Sequence, residues 1–330
     1  MKRLTNKLFI SILTVAFAVI ALGTTSFAWF TLGNTATVSS FNATVTAGEG
    51  IEMSLDATAF DDPDANWYST IPTSVINNWL KVGDTGEFRF THVTTADNET
   101  FYTMDDSGAL VLASAGDSAV GDREYISFTL SFRSTQTAAP SIYWKDVQLT
   151  SNNLPWRCDV PTFMNGEGVA TPNSEVSNYS AANAVRIGVV GSLANIVYEL
   201  ADSETDVEYD IIGNSVLGQV SGTSLEGANG SVAYYYAKND GVYPSGADAV
   251  TVPATITDPD LLDVVQAEAD PLDLVGKPLV TLTQIADNQW FGTVTVNIWI
   301  EGWDPDCFNS ILKGVITTSL IFSTEYDYTA

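Results

Sequence analysis

The sequence predicts an all-β protein, an antiparallel β-sandwich, on three observations. Most of its apolar segments alternate with period two. Clusters of Gly, Asn, Asp, Ser and Pro separate those segments. No regular succession of amphipathic helices interleaves them, as an α/β sheet would require. Val, Ile, Thr and aromatic residues dominate the segments themselves, which suits a pleated, half-buried surface.

In chain order, strands are expected over 35–45, Ile51–Leu55, 87–93, 126–132, 142–149, 184–190, 231–237, 279–285, 294–300 and 315–322. The alternation is clearest where Ile126, Phe128, Leu130 and Phe132 are spaced by Ser127, Thr129 and Ser131. Val294, Val296, Ile298 and Ile300 alternate likewise with Thr293, Thr295 and Asn297. Turns are expected at Asp61-Asp62-Pro63-Asp64, Asn152-Asn153-Leu154-Pro155, Asn165-Gly166-Glu167-Gly168 and Asn239-Asp240-Gly241, where each residue type has a backbone reason to bend the chain. Short helices are expected at 73–80, 259–268 and 307–312. The polar stretches 165–182 and 201–230 read as long loops or as a linker inside an insertion. The domain division is a leader over 1–28 and a single β-sandwich over 29–330, with a loop-rich region inserted around 150–275.

The leader is read from its three parts. Lys2, Arg3 and Lys7 precede the apolar run LFISILTVAFAVIAL, and Gly23-Thr24-Thr25-Ser26-Phe27-Ala28 follows it. That order is the cationic, apolar and small-residue sequence of a signal-peptide helix, with Ser26 and Ala28 placed for cleavage before Trp29. The apolar run is shorter than the roughly 20 residues that cross a bilayer as a helix. The other reading is retention as an uncleaved anchor. A secreted, extracellular or cell-surface location is expected, with signal peptidase as a partner during export and the membrane touched only through the leader.

Loss of Lys2, Arg3 and Lys7 takes the 13 Lys and Arg to 10, against 40 Asp and Glu, for a net charge of −30. Such a chain offers no basic patch for phosphates, so nucleic acid is excluded as an expected partner. Its 45% hydrophobic and 16% charged content argues for a folded domain over an acidic disordered tail. Two cysteines, Cys158 and Cys307, can pair in an oxidising compartment or remain as two buried thiols. With one histidine they are too few for a Cys/His zinc site.

A family resemblance rests on the junction Thr25-Ser26-Phe27-Ala28-Trp29-Phe30. Asn34-Thr35-Ala36-Thr37-Val38, then Phe41-Asn42-Ala43-Thr44-Val45-Thr46-Ala47-Gly48, and Ile51-Glu52-Met53-Ser54-Leu55 follow it. The run resembles the start of the TasA/camelysin family of matrix proteins from Firmicutes, which carry a SipW-type signal peptide. It departs from that pattern at Glu49-Gly50-Ile51-Glu52 and at Leu32-Gly33. A vaguer likeness, to clostridial SipW-dependent surface proteins, lies in 184–189 and 296–307. The resemblance implies a jelly-roll-like sandwich that assembles into an extracellular fibre, biofilm matrix or surface layer, with copies of itself or a related matrix subunit as partner. It also implies an assembly strand over 29–45, with Trp29 and Phe30 as anchors and Thr35, Val38, Phe41 and Val45 along the body. An exposed sheet edge carries unpaired N–H and C=O groups that such a segment satisfies. The other reading makes the segment an ordinary first strand of its own sandwich.

No catalytic residue is assigned, and the protein is not expected to be an enzyme. His92 is the only histidine, no G-x-S-x-G elbow accompanies it, and a strand-end surface or half-buried imidazole is the expected reading. Arg186, inside an apolar strand, is either an edge-facing cation or a buried ion-pair partner. No cofactor is expected. Calcium takes roughly six to eight oxygen ligands from acidic loops, which makes Asp61, Asp62, Asp64, Asp304 and Asp306 weak candidates, although none sits in an EF-hand pattern. The alternative function is a secreted cell-surface carbohydrate-binding module using its Trp and Tyr residues, such as Tyr234-Tyr235-Tyr236, as a stacking platform.

Overall fold

The computed structural model describes residues 36–38, 42–47, 50–80, 88–95, 97–104, 110–115, 124–152, 155–159, 163–165, 168–170, 173–176, 180–200, 263–266, 277–302, 307, 309–311 and 315–324. The leader, the 231–237 segment, Tyr234-Tyr235-Tyr236 and the Asp304-Pro305-Asp306 turn lie outside them.

The strands are β1 (Ala36–Val38), β2 (Asn42–Ala47), β3 (Ile51–Leu55), β4 (Thr70–Ile71), β5 (Phe88–Phe90), β6 (His92–Thr95), β7 (Phe101–Met104), β8 (Leu110–Leu112), β9 (Ile126–Ser134) and β10 (Ser141–Ser151). Next come β11 (Trp156–Arg157), β12 (Phe163–Asn165), β13 (Gly168–Ala170), β14 (Glu175–Val176), β15 (Val185–Val190), β16 (Asn195–Glu199) and β17 (Asp263–Gln266). The series closes with β18 (Val280–Thr281), β19 (Thr283–Ala286), β20 (Gln289–Glu301) and β21 (Ile316–Ser323). One α-helix, α1 (Thr73–Trp79), and a 3-10 turn at Asn309–Ile311 complete the described elements.

Two sheets face each other. The five-stranded sheet runs β18-β10-β21-β2-β4. The ten-stranded sheet is organised around β20, the longest strand. On one side β20 pairs with β19 and then β15, which leads to β16 and β17; on the other it pairs with β9 and then β6. Most pairings are antiparallel, but β2–β21, β6–β20 and β16–β17 are parallel, so the sandwich is mixed.

The alternation in the sequence becomes the inner faces of these sheets. Ile126, Phe128, Leu130 and Phe132 of β9 and Val294, Val296, Ile298 and Ile300 of β20 are buried together with Trp144, Val147, Leu149, Leu320 and Phe322 of the facing sheet. Phe132 meets Phe322 edge-to-face at 5.4 Å, and Trp144 meets Tyr198 at 6.3 Å. Burying a side chain of this size contributes about 1.5–3 kcal/mol.

A second, smaller core lies on the opposite face. Val93, Phe101, Val197 and Trp299 pack together with Tyr125, and Phe101 touches both Trp299 (5.2 Å, edge-on) and Tyr125 (4.1 Å, stacked). The upper part of the larger sheet is therefore buried on both faces.

Three expectations need correction. The 35–45 strand is two strands in different sheets, because apolar residues fall at Ala36 and Val38 and then at Phe41, Ala43 and Val45: the phase slips at Ser39-Ser40. The 87–93 strand breaks in the same way at Thr91, separating β5 from β6. The helix expected at 259–268 is replaced by β17, whose Val264-Val265 core suits a strand laid parallel against β16. The helix expected at 73–80 is present as α1, and that expected at 307–312 shortens to the 3-10 turn. Within 150–275, β15 and β16 belong to the larger sheet, and Val185, Ile187, Val189 and Ile196 sit in its core.

Candidate functional site

The N-terminal strand occupies a slot in the five-stranded sheet. β2 lies parallel to β21 along its whole length, from Asn42 opposite Thr317 to Ala47 opposite Phe322, with Val45 opposite Leu320. Among the described residues, its other edge meets only β4, where Val45 faces Ile71 and Thr46 faces Thr70. Gly48 and Glu49 then lead to Gly50, whose φ of +80° lets the chain turn into β3 in the other sheet. Of the proposed assembly strand, Val38 lies in β1, opposite Phe88, and Val45 in β2. Trp29, Phe30, Thr35 and Phe41 lie outside the described residues, as do Ser26 and Ala28 of the cleavage junction. Within one copy, the described part of the segment is thus two strands, β1 paired with β5 and β2 built into the five-stranded sheet.

The slot is narrow and its neighbours are firm. Phe322 and Leu320 of β21 are buried in the main core, and β10 pairs with β21 over 143–151 and 316–323 with one irregularity at Trp144/Asp146. β21 is therefore anchored from its far side independently of β2.

A buried polar layer lies under the smaller core. Arg186 of β15 stands opposite Glu199 of β16 and opposite Trp299 of β20. Arg186 and Glu199 are 3% and 2% exposed, and Arg186 Nε lies 2.5 Å from Glu199 Oε2. Arg186 Nη1 also donates to the carbonyl of Asn183 at 2.7 Å. Glu301, 3% exposed, accepts from Trp299 Nε1 at 3.1 Å. Arg186 is thus the buried ion-pair partner of the two readings open in the sequence; its partner Glu199 carries no distinguishing signal there.

His92 stands at the start of β6, opposite Ile300, and is buried more fully than the surface or half-buried strand-end imidazole expected. Burial alone pushes its pKa down to about 4, so it is neutral at ordinary pH.

Next to this layer, the 95–100 turn is fixed by side-chain amides. Asn98 adopts a left-handed φ of 56° and is fully buried. Its Nδ2 donates to Asn195 Oδ1 at 2.9 Å, and its carbonyl accepts from Asn297 Nδ2 at 2.7 Å. Asp97 Oδ1 accepts from the N–H groups of Glu99 and Thr100 at 2.9 and 2.6 Å. The result is a polar plug that seats the β6–β7 turn on the larger sheet. Its residues serve position, and they offer no nucleophile or acid pair.

The acidic candidates behave as a solvated turn. Asp62 accepts from Thr58 N–H and Thr58 Oγ1, each at 2.9 Å, and from Asp64 N–H at 3.0 Å. The backbone bond from Thr58, then that from Asp64 and the Thr58 hydroxyl, hold its carboxyl below the usual range. Asp61, Asp62 and Asp64 are not brought to a shared point with other ligands: among the described residues, no three His, Cys, Asp or Glu side chains are grouped to hold a metal ion. Asp304 and Asp306 lie outside the described residues. Cys158 and Cys307 are both buried.

An aromatic cluster that no sequence pattern marked lies on the outer face of β3, β9 and β20. Arg133 sits 4.4 Å over the Trp67 ring and 5.5 Å from Phe60, pairs with Glu52 at 2.7 Å, and Trp67 meets Phe291 edge-on at 6.4 Å. The guanidinium covers the indole face that a sugar ring would need. The register Glu52–Arg133–Phe291 across three strands brings these residues together, and it is invisible until strand pairing is known. No family model matches this chain, and no curated protein and no solved structure matches it.

Proposed function

We propose that this chain is a secreted structural protein, a subunit of an extracellular fibre, biofilm matrix or surface layer that assembles through its N-terminal strand. The observation that supports this reading is the place of β2. It is held along one edge by β21 and along the other by the two residues of β4, and Gly50, with a φ of +80°, opens the path into β3 of the other sheet. The strand can be supplied in the same register by another copy, because the ladder of main-chain bonds does not depend on which chain donates it, and donation then releases the short β1–β5 pairing along with β2. The family likeness at the leader junction points to the same role, and a jelly-roll strand order belongs to that reading. The strong negative charge keeps isolated subunits soluble and makes assembly sensitive to salt and divalent cations.

The test compares the chain from Trp29 onward with one beginning at Gly48, by size-exclusion chromatography and negative-stain electron microscopy. Filaments from the longer chain alone, with the shorter one captured by a synthetic 36–47 peptide, support strand donation. Identical monomeric behaviour of both, with calcium present, overturns it. Retention on insoluble polysaccharide in that case moves the carbohydrate-binding alternative to first place.

A further inference from the structure

β11 pairs with β14, and the ladder continues one residue further: the Cys158 N–H donates to the Ser174 carbonyl at 3.0 Å, and the Cys158 carbonyl accepts from the Asn173 N–H at 2.9 Å. The same β11 lies with Cα atoms within 8 Å of the 3-10 turn Asn309–Ile311. Cys158 is the residue that follows β11, and Cys307 stands two residues before that turn. Two elements far apart in sequence thus carry the only two cysteines of the chain to one region, and each is 2% exposed. A disulfide needs Cα atoms about 4.4–6.8 Å apart, and the packing of β11 on the turn brings the two cysteine-bearing segments beside each other.

We infer that Cys158 and Cys307 are joined by a disulfide in the exported protein. The inference rests on the export reading for its oxidant, a small-molecule or protein disulfide met outside the cytoplasm. One cysteine thiolate attacks that disulfide and forms a mixed disulfide; the second thiolate attacks the cysteine sulfur and displaces the carrier. Two S–H bonds are lost and one S–S bond forms. The oxidant takes the electron pair and the two protons and leaves as two thiols. The exchange happens while the chain folds, before both sulfurs are buried. The bond ties the β11–β14 pair to the run of chain that enters β21, the strand on which β2 lies, and it closes a loop between residues 149 apart.

The purified chain from Trp29 onward is refolded with a mixture of reduced and oxidised glutathione, then denatured and alkylated without reductant. The expected product is a monomer lighter by two hydrogens, with no alkylated cysteine, one linked peptide pair joining 158 to 307, and a urea midpoint that falls on reduction. Cysteines that carry glutathione or alkyl groups, or a link between two copies, overturn the inference. The same map is made on protein from culture medium. A chain that bonds on refolding but never reaches the medium retains the pairing and overturns export alone.

Discussion

Asn98 occupies the space that a side chain at position 188 would need: a Cβ built on Gly188 overlaps the Asn98 amide group. The two residues belong to elements 90 positions apart, and their fit lets the 95–100 turn lie flat on β15. Gly188→Ala therefore forces the buried Asn98 plug to move, at about 1–3 kcal/mol. Urea unfolding reads the loss. Adding Asn98→Gly, which removes the obstructing amide and suits the left-handed φ, recovers part of it; equal stability of Gly188→Ala and the parent contradicts the packing.

The Arg186–Glu199 pair makes a sharper distinction between single and double changes. Glu199→Leu leaves a buried guanidinium without its counter-charge and costs about 3–5 kcal/mol, whereas Arg186→Met with Glu199→Leu replaces both charges by apolar volume and costs far less. A double-mutant cycle by chemical denaturation measures this, and additive single effects would show that the two groups do not interact.

His92 gives stability a pH dependence of known sign. Its folded pKa, about 4, lies below the ordinary value of 6.5, so the unfolded chain binds the extra proton between those values. Stability is fully present above pH 6.5 and falls as pH drops toward 4, by a total on the order of 3 kcal/mol. In His92→Phe the slope in this window flattens. Urea midpoints taken across pH 4 to 7 test this; parallel curves for parent and variant contradict it.

Much of the sandwich was legible because one-sided burial writes itself as period two. β9 is the clearest case: Ile126, Phe128, Leu130 and Phe132 point to the core while Ser127 and Thr129 are half-buried on the other face. Where the sheet is covered on both faces that signal disappears. β6 (HVTT) and β16 (NIVYE) are buried along nearly their whole length, and neither was expected as a separate strand. The same double burial hides the polar layer: Asn98, Asn195 and Asn297 look like loop or strand-surface residues until three distant segments converge. Registers were equally illegible, so neither Arg186–Glu199 nor Glu52–Arg133 could be paired from spacing alone. The N-terminal segment was legible as strand, but its break at Ser39-Ser40 needed the phase of the alternation as well as its presence.

Strand donation between copies is most directly tested at Val45, opposite Leu320. A photo-reactive residue is placed at position 45, light and isotope-labelled copies are mixed under assembly conditions, and the crosslinked peptides are read by mass spectrometry. The proposed assembly predicts position 45 joined to the 316–323 strand in light–heavy pairs. Crosslinks confined to light–light and heavy–heavy pairs would mean that β2 never leaves its own domain, and the fibre account would fail.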